Sequence, residues 1–395
     1  MGANGSKNPP PSPYRWIVLG TFMATSIVAQ MLWLTFSSLP PCGTAVLCAT
    51  ADNVTLLTAI YPLVFVVISI PTGMFIDLKG FRPSVLLGAV LLAVSGALRP
   101  FSTSFPLLLA IQGVGAVGQP FILNSISKLV RTWFPASEVA TATGLGTLSI
   151  YIGLALGFGL TPVLAATWGT LGMFEAYGAF AVLAFVLFAL AGREGPHPGA
   201  AGETTSLRAI FGMLRIRNVA LLSALFFAGI GVFNSFATYV QPMLGARGVS
   251  ADTAGELGGI MIIGGIAGAL VISLIADRYH TLRRPLWVCV AVAVGLWALL
   301  GIGYGVVEES IVLLALGFFF MAALPLGLEL SARSVSASAE GAANAVVWEF
   351  SQIGGTIMIF SFDAVGLSMG WTVTFFLAAG ISLAMLAAGL LLRTE

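Results

Sequence analysis

The sequence contains few charged residues. Asp, Glu, Lys and Arg make up only 8% of its 395 residues, whereas a typical soluble domain carries about 25%. Hydrophobic residues make up 58%. This composition excludes an ordinary soluble globular protein, and the length accommodates twelve spanning helices of about 20 residues. We therefore expect a multi-pass membrane protein with the lipid bilayer as its main partner.

Histidine and cysteine are also scarce. The only histidines are His197 and His280, and neither has the Cys, His or carboxylate spacing of a metal site. There is no phosphate-binding loop for ATP, and the basic residues are too dispersed for a nucleic-acid surface. We expect no enzyme activity, metal, cofactor or nucleic-acid partner, and we expect a monomer. The sequence leaves open whether Cys42 and Cys48 form a disulfide.

Apolar runs between polar or helix-breaking residues predict an all-α protein with twelve transmembrane helices. The predicted spans are 15–39, 54–77, 83–103, 106–131, 137–166, 171–192, 217–243, 251–277, 283–304, 309–333, 337–366 and 370–393. One long polar linker separates the sixth from the seventh. The predicted organisation is a tail over 1–14, a six-helix bundle over 15–192, a linker over 193–216 and a second six-helix bundle over 217–395.

The basic residues indicate the orientation. In this topology only Arg99 and Arg247 lie on one side of the membrane, and the other fifteen Lys and Arg residues lie on the opposite side. Cytoplasmic loops are enriched in Lys and Arg. We therefore expect both termini and the linker in the cytoplasm, with the protein in a plasma or inner membrane.

The two halves repeat. Asp77 follows the second helix and Asp277 the eighth, each before a basic loop, and Glu138 and Glu340 open the fifth and eleventh helices. Both pairs are about 200 residues apart. Parallel repeats of six helices are typical of secondary transporters.

The stretch GMFIDLKGFR, residues 73–82, resembles the helix 2–3 signature of the major facilitator superfamily, G-x-x-x-D-x-x-G-x-R. The resemblance implies a cytoplasmic gate. Gly73 would permit close helix passage, Asp77 would face the positive end of the eleventh helix, and Gly80 and Arg82 would form the turn and its polar contacts. Asp277 would repeat this arrangement. The alternative is a charged loop that only follows the orientation rule.

Three segments carry a narrower resemblance. SIVAQMLWLTF (26–36), IYPLVFVVISIPTGMFIDLKGFR (60–82) and GQPFILNSISKLVRTWFPASEVATATG (118–144) are similar to the feline leukaemia virus subgroup C receptor family. Members of that family are linked to choline, ethanolamine and haem-related transport. LPLGLELS (324–331) and SQIGG (351–355) extend the likeness into the second half.

This resemblance implies a substrate site. Trp33 falls where the family has a tryptophan facing a quaternary ammonium group, and Gln119 and Gln352 fall on its cavity-lining glutamines. Tyr61 keeps the helix 2 spacing. Asn234, beside Phe233, falls where the family has a helix 7 tyrosine, so one ring of the aromatic cage would be missing.

The same residues stand out without the family. Trp33 lies in mid-span, although membrane tryptophans favour the interfaces, and an indole ring attracts a desolvated cation by about 2 kcal/mol or more. Polar residues share helix faces with it or with each other: Gln30 with Trp33, Gln112 with Gln119, and Asn344 and Trp348 with Gln352. Such stripes point into the bundle. The rival interpretation is hydrogen bonding between helices.

Glu349 is a carboxylate in mid-span. It would carry a proton or compensate a cationic substrate; the alternative is a salt bridge to Arg333. Arg99, nearer a helix end, is expected to snorkel to the interface or to pair there.

The sequence therefore predicts a secondary transporter of a small organic cation or zwitterion, choline- or ethanolamine-like, working by alternating access. The first alternative is a proton-coupled carrier of another metabolite or drug, with Glu349 as proton carrier. The second is a membrane receptor that transports nothing.

Overall fold

The structure, a computed structural model, describes residues 12–38, 51–135, 138–195, 212–279, 281–335 and 340–392. The side chains of Asp77, Asp277 and Asn344 lie outside the described part. The described helices are α1 (Tyr14–Leu34), α2 (Ala51–Lys79), α3 (Phe81–Leu98), α4 (Phe105–Leu123), α5 (Ile126–Trp133), α6 (Val139–Ala191), α7 (Arg217–Gly245), α8 (Ala251–Arg278), α9 (Arg283–Ile302), α10 (Val306–Arg333), α11 (Glu340–Met369) and α12 (Trp371–Leu390). Short 3₁₀ turns follow α1, over Thr35–Ser38, and α3, over Arg99–Phe101.

Ten helical segments within the described residues are long and apolar enough to cross a membrane. One of them, Ala142–Ala191, has 50 residues and supplies two spans. Helix α2 has 29 residues and contains the apolar stretch Thr55–Ser69. These segments agree with the predicted all-α architecture of twelve spans.

Helix α6 contains the fifth and sixth predicted spans. Its helical geometry breaks only at Gly169, where φ is +72°, a left-handed backbone that glycine adopts without strain. The hydroxyls of Thr161 and Tyr177 lie 2.7 Å apart although sixteen residues separate them. In a straight helix that separation would be about 24 Å. The two limbs of α6 therefore lie side by side.

The fourth predicted span, 106–131, is not one helix. Helix α4 ends at Leu123, and the short α5 begins at Ile126. The backbone N–H of Asn124 donates to the carbonyls of Pro120 and Ile122. Pro120 lies in the last turn of α4, where its ring clashes with the preceding turn and weakens a straight continuation. The prediction was right about the apolar run and wrong about its continuity.

Small residues bring α1 and α6 together. A Cβ atom on Gly153 would lie 2.5 Å from the Ile27 carbonyl oxygen, and one on Gly157 would lie 3.1 Å from the Leu34 side chain. Glycines four residues apart let two membrane helices approach closely. This contact places Gln30 and Trp33 of α1 beside the first limb of α6.

The helices form two six-span halves with a two-fold pattern of contacts. Helix α2 of the first half packs against α11 of the second, and α8 of the second packs against α6 of the first. In terms of spans, the second span of each half meets the fifth span of the other. This reciprocity agrees with the pseudo-symmetric halves predicted from the repeat.

The two ends of the molecule differ in their contacts. At the basic end, where Arg15 and Arg82 lie, Arg15 forms a 2.9 Å ion pair with Glu138 inside the first half. At the opposite end the two halves meet: the Phe158 ring lies against Gly258, and the turn Thr35–Ser38 contacts α7 and α8. The structure is therefore closed at the end opposite the basic end.

Candidate functional site

A cavity of about 100 Å³ lies between the two halves. Its polar lining includes the amide side chains of both halves and two tryptophans: Gln30, Trp33, Gln119, Asn234, Trp348 and Gln352. The rest of its wall is mostly apolar and aromatic. Among the described residues, no Asp, Glu, Lys or Arg lines it. The cavity is thus uncharged, with amide dipoles and aromatic rings as its recognition groups.

Trp33 is fixed by an unusual hydrogen bond. Its indole N–H donates to the Thr58 carbonyl at 3.1 Å. That carbonyl would normally accept from the amide four residues later, but this residue is Pro62, which has no N–H. The proline therefore frees the acceptor that orients the indole. Pro62 also lines the cavity beside Trp33.

Gln30 and Gln119 form a pair across α1 and α4. The Gln119 amide nitrogen donates to the Gln30 Oε1 at 3.4 Å, and both side chains are buried. Gln30 lies against Gly153, which lets α6 approach it. The pair fixes one wall of the cavity with neutral groups that still have hydrogen-bonding capacity.

The second half supplies the facing wall from α7 and α11. Phe233 and Asn234 lie on α7, and Gln352 lies on α11. The Asn234 amide nitrogen rests against Gly355, at a position where a Cβ would overlap it. Gly355 of SQIGG thus leaves the space that the Asn234 side chain occupies.

The structure brings six of the eight predicted substrate residues to one cavity. Those six are Trp33, Gln119, Gln352, Gln30, Phe233 and Asn234. Their role in binding stays a prediction.

Tyr61 and Glu349, also predicted at the site, do not line this cavity. Tyr61 is fully buried, with its hydroxyl against Gly115 and near Arg99. The Glu349 side chain lies near Ser69 on α2, and the Ser69 Oγ lies 3.2 Å from the side-chain amide nitrogen of Asn124, which donates to it. Glu349 therefore belongs to a contact between α2 and α11.

The sequence reasoning did not single out Tyr151. Its side chain lines the cavity from the first limb of α6 and is 6% exposed. Thr147, one turn earlier, lines the same cavity. The available signal was this polar i, i+4 pair on an otherwise apolar span.

The predicted gate residues lie at the basic end. Gly80 has a φ of +90° and is the N-cap residue immediately before α3. The Arg82 Nε donates to the Gly192 carbonyl at 2.7 Å, and the Arg82 amide donates to Glu194 at 3.0 Å. No described atom lies within 4 Å of the position of a Cβ on Gly73. Among the described residues no close helix passage is seen there, in keeping with halves that meet mainly at the other end; the gate role of Gly73 stays a prediction.

The contacts of Arg99 contradict two expectations, one about Arg99 itself and one about Gln112. It does not reach the interface but is fully buried, because its guanidinium donates to the Thr35 Oγ1 at 3.1 Å, the Leu32 carbonyl at 2.8 Å and the Gln112 Oε1. The Phe36 ring packs against the cation. Gln112 shares a helix with Gln119 but serves this network and does not line the cavity. For Gln112 the rival interpretation, hydrogen bonding between helices, is correct.

Comparisons with known proteins agree with this architecture. Solute carrier family 49 member A3 of Danio rerio is 26% identical over 400 residues, which cover 93% of this chain and 84% of that protein. The choline/ethanolamine transporter FLVCR2 of Homo sapiens is 25% identical over 376 residues, which cover 88% of this chain and 71% of that protein.

Among solved structures, the chain is similar to a bacterial homologue of the human lysosomal transporter Spinster in an inward-facing, unoccupied conformation. The TM-score is 0.71 at 15% identity, over 96% of this chain and 95% of the other; this likeness concerns the fold. The family model of the Major Facilitator Superfamily matches residues 21–359. With its two six-span halves around a central cavity, the chain belongs to the Major Facilitator Superfamily and is a membrane transporter.

Proposed function

We propose that this transporter carries a small organic cation or zwitterion of the choline and ethanolamine kind through its central cavity. The observation that carries the proposal is the composition of that cavity: tryptophans and amides without a charged side chain among the described residues. Relatives named choline/ethanolamine transporters, such as FLVCR2, support the same substrate class.

The cavity chemistry favours a compact, weakly hydrated cation. The face of an aromatic ring attracts such a cation through its quadrupole, and the attraction grows when water is excluded. A metabolite anion would find no Lys or Arg among the described lining residues. Phe233, Trp348 and Tyr151 bring further rings to the wall, so the asparagine at 234 does not leave Trp33 as the sole aromatic partner.

The placement of the contacts between the halves supports alternating access. The halves meet around Phe158 and Gly258 at the end opposite the basic residues. We infer that the basic end is cytoplasmic, from the orientation rule, and that the present conformation faces inward. Rocking the halves around the cavity would open the other end.

Ligand-induced thermal stabilisation tests the substrate class. Choline should raise the unfolding temperature of the purified protein, because a ligand that binds the folded state stabilises it. Its neutral carbon isostere, 3,3-dimethyl-1-butanol, should not, since only the positive charge differs. Stabilisation by carboxylates or porphyrins, with none by any ammonium compound, would refute the proposal.

Glu349 keeps the proton-coupled alternative testable. It is half-buried within α11 and lies near Ser69 of the other half, a position suited to a protonation-sensitive contact between the halves. Coupled transport would stop when the pH gradient is collapsed, and Glu349→Gln would abolish its pH dependence. Under our proposal choline flux persists without a gradient, and the Glu349→Gln variant still transports choline.

A further inference from the structure

Tyr151 lines the central cavity and carries a buried hydroxyl group. Its side chain is more than nine-tenths buried, lines the cavity, and has no hydrogen-bond partner for its oxygen within the described part of the chain. Burying a hydroxyl without a partner destabilises the protein that contains it. Phenylalanine would fill the same space without that penalty, so the hydroxyl calls for an explanation.

Two of the polar groups that line the cavity already have partners. The Trp33 indole donates to the Thr58 carbonyl, and the Gln119 amide donates to Gln30. The second limb of α6 offers a comparison, since the buried Tyr177 hydroxyl bonds to Thr161. Tyr151 differs from Tyr177 in that its side chain lines the cavity and its hydroxyl has no partner among the described residues.

The position of Tyr151 is fixed by the packing around it. Two residues later, Gly153 lies against Ile27 and Gln30 of α1. Seven residues later on the same helix face, Phe158 lies against Gly258 of the second half. Tyr151 is therefore held between a tight helix contact and the closed end of the protein, on the wall that Gln30 and Trp33 share.

We propose that the Tyr151 hydroxyl is the hydrogen-bond partner of the substrate's polar group and selects substrates that carry a hydroxyl over those that end in a methyl group. This inference rests on the proposed function, because it assumes an ammonium ligand in the cavity. The aromatic rings would hold the ammonium end, and Tyr151 would complete its unsatisfied hydrogen bond with the other end. A site built to hydrogen-bond a hydroxyl rejects the analogue that lacks it, because its own polar group is then left unpaired.

The test compares two ligands on three proteins. Choline and propyltrimethylammonium have nearly the same shape and charge, and the second has a methyl group in place of the hydroxyl. Their dissociation constants are measured by calorimetry on the wild type, on Tyr151→Phe and on Tyr177→Phe. The last variant also removes a buried hydroxyl from α6, but one that does not line the cavity.

The wild type should bind choline about fivefold to tenfold more tightly than propyltrimethylammonium, the usual effect of one hydrogen bond. In Tyr151→Phe this preference should fall below twofold, through weaker binding of choline alone. Tyr177→Phe should keep the wild-type preference. Thermal unfolding of each variant reports whether it is folded.

Three outcomes would overturn the inference. An unchanged preference in Tyr151→Phe would show that another group reads the hydroxyl. Equal weakening of both ligands would assign Tyr151 to packing. If neither ligand binds the folded wild type, the proposed function itself fails, which distinguishes that failure from the other two.

Discussion

At the scale of single residues, the site depends on neutral groups whose orientation is set by the backbone. Pro62 removes one helical hydrogen bond from α2, and the freed Thr58 carbonyl accepts the Trp33 indole N–H. The Gln30–Gln119 pair then fixes the adjacent wall. These contacts hold the indole at the cavity without placing any charge there.

Replacing Trp33 tests its contact with the cation. Trp33→Ala should weaken choline binding about thirtyfold, which corresponds to about 2 kcal/mol of lost cation–π attraction. Trp33→Phe keeps a ring at the position and should lose less than about fivefold. Calorimetric titration measures both constants. Equal, small losses in the two variants would assign Trp33 to helix packing.

The sequence predicted much of this site because intramembrane polarity is costly and therefore informative. Trp33, Gln119 and Gln352 were recognisable as mid-span polar or amphipathic groups. Tyr151 was not, because its pairing with Thr147 at i, i+4 spacing is equally typical of packing residues until the hydroxyl is seen without a partner. The prediction for Arg99 was wrong because it used only the position of Arg99 near a helix end. Sequence position does not show that Gln112 and Thr35 of other helices bind the guanidinium and bury it.

At the scale of helices, close approach between α1 and α6 places half of the cavity wall. Gly153→Ala would put a methyl group 2.5 Å from the Ile27 carbonyl oxygen, so the two helices must separate. We expect a loss of about 1–3 kcal/mol, typical of overpacking, seen as a lower unfolding temperature in detergent.

Gly144→Ala is the matched control for this prediction. Gly144 lies on the same helix, and no described atom lies within 4 Å of its added Cβ. Alanine also favours the helix over glycine. The control should therefore unfold at or above the wild-type temperature, and a similar loss in both variants would contradict the packing argument.

The Arg99 network holds the turn Thr35–Ser38, which contacts α7 and α8. Arg99→Leu should loosen this turn and expose Ser37, which is buried in the closed state. With Ser37→Cys in a background whose native cysteines are serine, maleimide labelling should be about tenfold faster, as expected from losing roughly 1.4 kcal/mol of closure.

Arg99→Lys keeps the charge but loses the planar guanidinium group. Its labelling rate should therefore lie between the rate of the protein with Arg99 and the rate of the Arg99→Leu variant. A labelling rate that does not change in Arg99→Leu would show that the turn closes independently of Arg99.

The sequence predicted which segments are helical better than it predicted where each helix begins and ends. Hydropathy located the apolar runs. It does not detect the change of chain direction at Gly169 or the break between α4 and α5. Both features depend on the backbone geometry of a single glycine or proline, whereas hydropathy is averaged over about twenty residues.

At the scale of the whole molecule, the proposed alternating access requires the closed end to open. Gly259 lies against Ala155 and Gly159 across the two halves. Cysteines at 155 and 259, joined by a short bifunctional thiol reagent, should leave choline binding intact and abolish its transport. Each single-cysteine protein treated alike should keep transporting. Undiminished flux in the crosslinked protein would rule out rocking at this contact.

Uptake of labelled choline into liposomes that contain only the purified protein tests the central claim most directly. We predict saturable uptake that ethanolamine competes with, that continues after the pH gradient is collapsed, and that Trp33→Ala strongly reduces. Uptake no greater than in protein-free liposomes, or uptake that Trp33→Ala leaves unchanged, would contradict a cation carrier whose uncharged, aromatic cavity binds the substrate.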